Sequence, residues 1–291
     1  MASRADERKA FLQRLATYVP FHAVTEAVRG TRLRTGQERL EGTVVVADLS
    51  GFTSLSESFA RRGRDGIDEL TQILNRIFSA LLEKAVFPYH GYLVKFAGDA
   101  LLSFHPGERH SAWGCTSAVQ MQREMERVAS VLKRNLAVRI GVASGEFELV
   151  TVGTRSGRLD CFCAGDAAMR ALAAADHAGP GEIVLDAEGL PRGPFRAGPQ
   201  LVELACGDEV LAPDPIPDPL TPLEPPQVEH LIEQVRGFLA PDLYGRIVGN
   251  PSAATIPAER RHACAVFCEL EGWRGDVDLL CEHYDAACES A

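Results

Sequence analysis

The sequence predicts a sheet domain of α/β or α+β class, and three observations carry this. Val44 to Ala47 is an apolar strand with no polar alternation, so both of its faces are expected to be buried. Tyr92 to Phe104, "YLVKFAGDALLSF", reads as two strands joined at Ala97-Gly98-Asp99, a hairpin that turns on glycine. Between such strands lie long segments of helical apolar spacing.

The elements follow in order. Ala5 to Val19 has helical spacing (Phe11, Leu12, Leu15, Ala16) and stops at Pro20; Phe21 to Val28 is a second short helix. Gly30 to Glu41 is polar and reads as a loop. After the strand at Val44, "DLSGF" opens a helix. Gly66 to Lys84 places Ile67, Leu70, Ile73, Leu74, Ile77, Phe78 and Leu81 on one side. Beyond the hairpin, Ala112 to Arg134 is a long helix. Leu136 to Ala143, Glu146 to Val152 and Leu159 to Cys163 are expected strands. Asp166 to His177 is an alanine-rich helix, and Gly179-Pro180-Gly181 turns into the strand Glu182 to Leu185.

The 291 residues are 46% hydrophobic and 24% charged, enough to bury a core. The formal net charge of −10 argues against nucleic acid or an anionic membrane as the main partner. No apolar run approaches the ~20 residues that cross a bilayer, and the charged start MASRADERKA lacks the core of an export signal. The eight cysteines form no CxxC pair, so neither a disulfide framework nor a zinc site is expected. A reduced, cytoplasmic protein is the expectation.

Leu211 to Gln227 is proline-rich and reads as an extended linker. Beyond it the chain resembles its own beginning. Slid back by 221 positions, Pro241 falls on Pro20, Glu259 on Glu38, Arg260 on Arg39, Glu269 on Asp48, Leu270 on Leu49, Gly272 on Gly51 and Trp273 on Phe52. The helix Val277 to Ala287 then repeats the one from Ile67. This second copy holds one strand and one helix, too little for a core of its own.

Two acids stand out. Asp48 ends a buried strand, and Asp99 sits in the hairpin turn. Each has a plain reading alone, as a helix cap or a turn residue. Together, on neighbouring strands, they repel unless a cation joins them, and Mg²⁺ takes such oxygen ligands along with substrate phosphates. The turn Leu49 to Thr53 then offers backbone N–H groups at a helix start to a phosphate. Arg139 on "LAVRIGVASG" adds a cation.

"VVVADLSGFTSL", "LVKFAGDALLSF" and "VRIGVASGE", in that order and spacing, resemble the class III nucleotidyl cyclase catalytic domain. They resemble in particular the first cyclase domain of the soluble, bicarbonate-responsive adenylyl cyclases and their bacterial relatives. The resemblance runs from residue 10 to residue 205, with a partial second domain from 231. It implies an α+β class III cyclase fold with a ferredoxin-like βαββαβ core, a mixed sheet with helices packed on it. The implied organisation is a helical lead segment (1–40), a cyclase domain (41–205), a proline-rich linker (206–230), and a second lead segment with the start of a second cyclase-like domain (231–291).

By this match Asp48 and Asp99 are the catalytic acids and hold two Mg²⁺ (or Mn²⁺) together with Leu49. Ser50, Gly51, Phe52, Thr53 and Arg139 bind the triphosphate. The implied reaction is attack of the ribose 3′ oxygen of ATP on the α-phosphorus, giving 3′,5′-cyclic AMP and pyrophosphate in cyclic-nucleotide signalling; GTP is not excluded. The family's Asn-x-x-x-Arg pattern falls on Asp166 and Arg170, and Asp is not Asn. The chain is therefore expected to supply the metal and triphosphate half of a site completed by a second cyclase-type domain, in trans or in a homodimer. Lys95 matches a lysine that helps bind bicarbonate. The arginine expected to assist it falls on Leu172, two positions from Arg170, so Lys95 and Arg170 form a candidate effector pocket. The alternative is a catalytically silent nucleotide-binding or dimerising regulatory module. For a third reading, a Mg²⁺-dependent phosphohydrolase, the sequence shows no third acid, catalytic His or P-loop signature.

Overall fold

The computed structural model describes residues 4–186, 211–221, 223–250 and 275–290. They form two compact units, one of Met1–Glu38, Leu149–Phe162 and Asp218–Ala291, the other of Arg39–Glu148 and Cys163–Pro217.

The sheet is mixed. β1 (Gly36–Ser50) pairs antiparallel with β3 (Ala100–Pro106), which pairs antiparallel with β2 (Tyr92–Ala97). β4 (Ala137–Gly153) follows β1 in the order β2-β3-β1-β4-β5, with β5 spanning Leu159–Ala164. The short β6 (Ile183–Leu185) lies parallel to β4.

Strand alternation decides what each face carries. Val45, Ala47 and Leu49 of β1 and Val138, Ile140 and Val142 of β4 point into one core. There they meet α3 (Phe52–Ala60) through Leu55 and Phe59, and α4 (Gly63–Leu81) through Ile73, Ile77 and Leu81. α5 (His110–Leu132) adds Cys115, Ala118, Met121, Met125 and Val128, one apolar stripe at helical spacing. One π-helical turn, Leu82–Val86, follows α4 and buries Ala85 and Val86.

α6 (Asp166–His177) packs close against β4 through alanines. A Cβ on Gly141 would lie 2.0 Å from the Ala171 carbonyl oxygen. Small residues on both elements are what allow this backbone approach. Gly141 alternates with Ile140 and Val142, so this is the face away from α4 and α5.

The other unit is mostly helical. α1 (Arg4–Ala16), α2 (Phe21–Val28), α7 (Pro225–Arg236) and α8 (Pro241–Gly249) share a core. Phe11, Leu12, Leu15 and Val19 are buried there, as are Leu231, Ile232, Val235 and Leu239. These quartets correspond at a slide of 220, as do the N-caps Pro20 and Ala240. The helices that the expected repeat pairs are therefore offset by 220, where the sequence match reads 221; packing follows the buried stripe and not the proline. Residues 259 to 273, which carry the rest of that match, lie outside the described residues. α9 (Val277–Ser290) sets Leu280 against Val150 and Val152, and its Tyr284 hydroxyl donates to Asp160 at 3.1 Å.

Three sequence expectations change. The polar stretch read as a loop at 30–41 is strand from Gly36 on. Its polar side chains belong to an exposed strand surface, where Arg39 pairs with Glu148 at 3.1 Å, so no apolar alternation marks it. β4 is one 17-residue strand where two were expected. Gly145 keeps it continuous at φ 146°, and its missing Cβ makes room for the Arg170 guanidinium. The proline-rich stretch turns helical at Pro225, where Glu224 and Gln227 form a capping box.

Candidate functional site

Asp48 sits near the end of β1, opposite Ala100, the first residue of β3. Asp99 directly precedes Ala100. The Leu49 N–H donates to the Asp99 carbonyl oxygen at 3.3 Å, which ties the hairpin turn to the strand carrying Asp48. Gly98 holds that turn at φ 65°. The backbones of the two acids thus lie at the same end of adjacent strands.

Alternation puts Asp48, unlike Ala47 and Leu49, on the sheet face away from α4 and α5. Arg139, between the buried Val138 and Ile140, shares that face from the next strand. Its Nε and Nη2 both donate to Asp48 Oδ2, each at 2.6 Å. The Asp48 side chain is 19% exposed and that of Arg139 37%, so the pair is partly desolvated. A carboxylate in that position needs such a partner.

Lys95 reaches the same face through an irregularity. The β2–β3 register shifts between Leu93 and Lys95, which sets Lys95 opposite Leu102 and therefore on the Asp48 side. Lys95 is exposed. It also acts on the Cys163 thiol: burial raises the pKa of that thiol, and the Lys95 charge opposes the shift.

After Ser50 the chain turns into α3 through Gly51, whose φ of 86° suits glycine. No side chain caps this helix. The first N–H groups of Phe52 and Thr53 therefore point out of the helix start, a local anion-binding arrangement.

Arg170 is engaged on several sides. Its Nε donates to Asp166 at 2.8 Å, Nη2 to the Ser144 carbonyl oxygen at 2.9 Å, and Nη1 to Asp186. Burial alone would lower its pKa, but the hydrogen bonds to Asp186 and Asp166 outweigh this and raise it. Sequence reasoning missed Asp186, because no local pattern links it to a residue 16 positions earlier. Its place follows from β6, where the Asp186 N–H extends the pairing to the Val142 carbonyl oxygen.

The donor set suits a hard divalent cation. Asp48 and Asp99 provide carboxylate oxygens and Leu49 can offer only its backbone carbonyl, with no sulfur or imidazole among them. Among the described residues, His22, Glu26 and Glu38 also bring ligand atoms within 4.8 Å of one another, beside a pocket of about 420 Å³. Those groups are already paired, His22 with Glu38 at 2.7 Å and Glu26 with Arg29 and Thr31.

The family model described as the adenylate and guanylate cyclase catalytic domain matches residues 37–188, just over half of the chain. Rat adenylate cyclase type 10 is 32% identical over 122 residues, which cover 39% of this chain and 7% of that protein. The human protein of the same name is 30% identical over 127 residues, 41% of this chain and 8% of that one. The match thus spans less than a tenth of these curated relatives. Among solved structures, a bacterial light-regulated adenylyl cyclase aligns with a TM-score of 0.50 at 18% identity, over 63% of this chain and 54% of that one. The adenylyl cyclase CyaB from P. aeruginosa aligns with a TM-score of 0.47 at 22% identity, over 53% and 80%. The mixed α+β sheet with helices on it is the class III cyclase fold that the resemblance implies. On the family match and the fold together, the chain belongs to the adenylate and guanylate cyclase catalytic domain family.

Proposed function

We propose that this chain supplies the metal- and triphosphate-binding half of an adenylyl cyclase that converts ATP to 3′,5′-cyclic AMP and pyrophosphate. The observation that carries this reading is the placement of Asp48 and Asp99 at one end of adjacent strands, with Arg139 on Asp48. The relatives named above, both adenylate cyclases, favour ATP over GTP.

Asp48 and Asp99, with the Leu49 carbonyl, would hold two Mg²⁺ or Mn²⁺. When bound, such ions make the ribose 3′ hydroxyl more acidic and neutralise charge on the phosphates. The chain's own residues then orient the substrate. The N–H groups at the start of α3 and the Arg139 guanidinium face the phosphate oxygens, in a position where Ser50 and Gly51 leave room for close approach. Arg170 is not available for a developing charge, because Asp166, Asp186 and Ser144 occupy it. The transition-state donors therefore come from a complementary cyclase domain, and without them the barrier rises by about 3 kcal/mol per missing donor.

The test is cyclic AMP formation from ATP with Mn²⁺, by the chain alone and with a separately produced second cyclase domain, beside Asp99→Ala. Product that needs Asp99 supports the reading. Silence in both mixtures would favour the regulatory module, a reading that the engaged Arg170 keeps in play.

A further inference from the structure

We propose that Arg139 is a latch on the metal site. Without nucleotide it closes on Asp48; when triphosphate arrives it moves to the phosphates, and Asp48 is released to the cation. This rests on the functional reading above and adds a regulation of that site, in which metal and nucleotide bind cooperatively through one shared arginine.

The geometry is specific. Two guanidinium nitrogens converge on a single oxygen, Asp48 Oδ2, at 2.6 Å each. Arg139 has one strand face to point across, since Val138 and Ile140 on either side are fully buried. A cation approaching Asp48 thus meets two obstacles: a charge-assisted contact that must break and a like charge that stays near. A triphosphate at the start of α3 removes both, because it offers the guanidinium several anionic oxygens in exchange for one. Reciprocity then requires that bound cation favour triphosphate by the same factor. Free Mg²⁺ alone would leave the site closed, so the acids are occupied only when substrate is present.

A seat for the alternate partner lies close by. Gly51 and the uncapped start of α3 lie two residues beyond Leu49, so the phosphate seat and Asp48 belong to one short segment. Lys95, on the same face, adds positive charge that draws an anion there and repels a lone cation.

The experiment uses the full chain and two readouts besides turnover. Free Mn²⁺ is titrated by electron paramagnetic resonance without nucleotide, for the parent, Arg139→Gln, Arg139→Lys and Asp48→Asn. Arg139→Gln is expected to bind Mn²⁺ roughly tenfold more tightly, with Arg139→Lys in between, because it keeps the charge but not the two-nitrogen contact. In parallel, the arginine Nε–H resonance of Arg139 is followed by ¹⁵N NMR. It should be slow to exchange in the parent, lose that protection in Asp48→Asn, and shift when inorganic triphosphate is added. Unchanged or weaker Mn²⁺ binding by Arg139→Gln overturns the latch, as does an Nε–H signal indifferent to Asp48→Asn. If instead adding Asp48→Asn to Arg139→Gln leaves Mn²⁺ binding unchanged, the metal-site reading itself falls and the latch falls with it.

Discussion

The Leu49 N–H and the Asp99 carbonyl oxygen are 3.3 Å apart, and this one backbone hydrogen bond sets the hairpin turn beside the strand end that carries Asp48. The position of Asp99 therefore depends on the turn. Gly98 adopts φ 65° there with open space around it, so a side chain is opposed by backbone strain and not by a clash. Gly98→Val should cost about 1–2 kcal/mol, while Gly98→Asn should cost less, since Asn tolerates this region. Urea unfolding of the two variants checks the difference.

The acids themselves should be dispensable for folding and essential for chemistry. Asp48→Asn and Asp99→Asn keep the shape of the side chain, and each is expected to lower cyclic nucleotide formation by at least about a hundredfold in the complemented assay. Circular dichroism should show both variants folded. An active Asp99→Asn would remove that acid from the site.

His105 should make stability depend on pH. Its ring is fully buried, with Nδ1–H donating to the Tyr89 carbonyl oxygen at 2.9 Å, and among the described residues Nε2 has no partner. Burial pushes its pKa down to about 4 from 6.5, with the hydrogen bond to Tyr89 opposing. The unfolded chain takes up a proton near pH 6.5 and the folded chain does not. Stability is therefore full above about pH 6.5 and falls as pH drops toward 4, by roughly 3 kcal/mol in all. His105→Asn should flatten that slope in urea titrations at pH 7.5, 6 and 5.

The seat of α6 on β4 leaves no space for a methyl group. A Cβ at position 141 would lie 2.0 Å from the Ala171 carbonyl oxygen and 2.3 Å from the Ala175 nitrogen, both backbone atoms. Gly141→Ala should therefore destabilise the protein by about 1–3 kcal/mol, as overpacking does, whereas Ala173→Ser on the exposed side of α6 should be neutral. Thermal unfolding distinguishes the two.

Arg170 should matter for stability, because removing it takes a guanidinium away from two carboxylates. Asp186, 21% exposed, would lose its guanidinium partner, and Asp166 its neighbour one turn away. Arg170→Leu is expected to cost about 2 kcal/mol, and combining it with Asp186→Asn should recover part of that loss. If the two changes simply add, the pair is not coupled.

Much of this protein was legible in its sequence for simple reasons. The uninterrupted run Val44 to Ala47 marked a strand buried on both faces, and helical spacing located α2, α6 and the long helices within a few residues. The two acids were legible as a pair because each stood in a local context that strand pattern and turn chemistry define. Where polarity and structure diverged, the reading failed. Gly36 to Glu41 is strand although it is polar, because side chains such as Arg39, paired with Glu148, and Glu38, paired with His22, do not enter a core. The gap between the expected strands Leu136 to Ala143 and Glu146 to Val152 is a continuation of one strand.

The sequence by itself determined most of the strands and helices and pointed to the acids and the family, because these rest on residue type and on spacing within one segment. Tertiary structure decided which charges meet. Arg139 closes on Asp48 across 91 positions, Asp186 takes Arg170, and a one-residue bulge turns Lys95 to the same face as Asp48. Such meetings depend on strand order and register, and a long-range pairing leaves no trace in local periodicity.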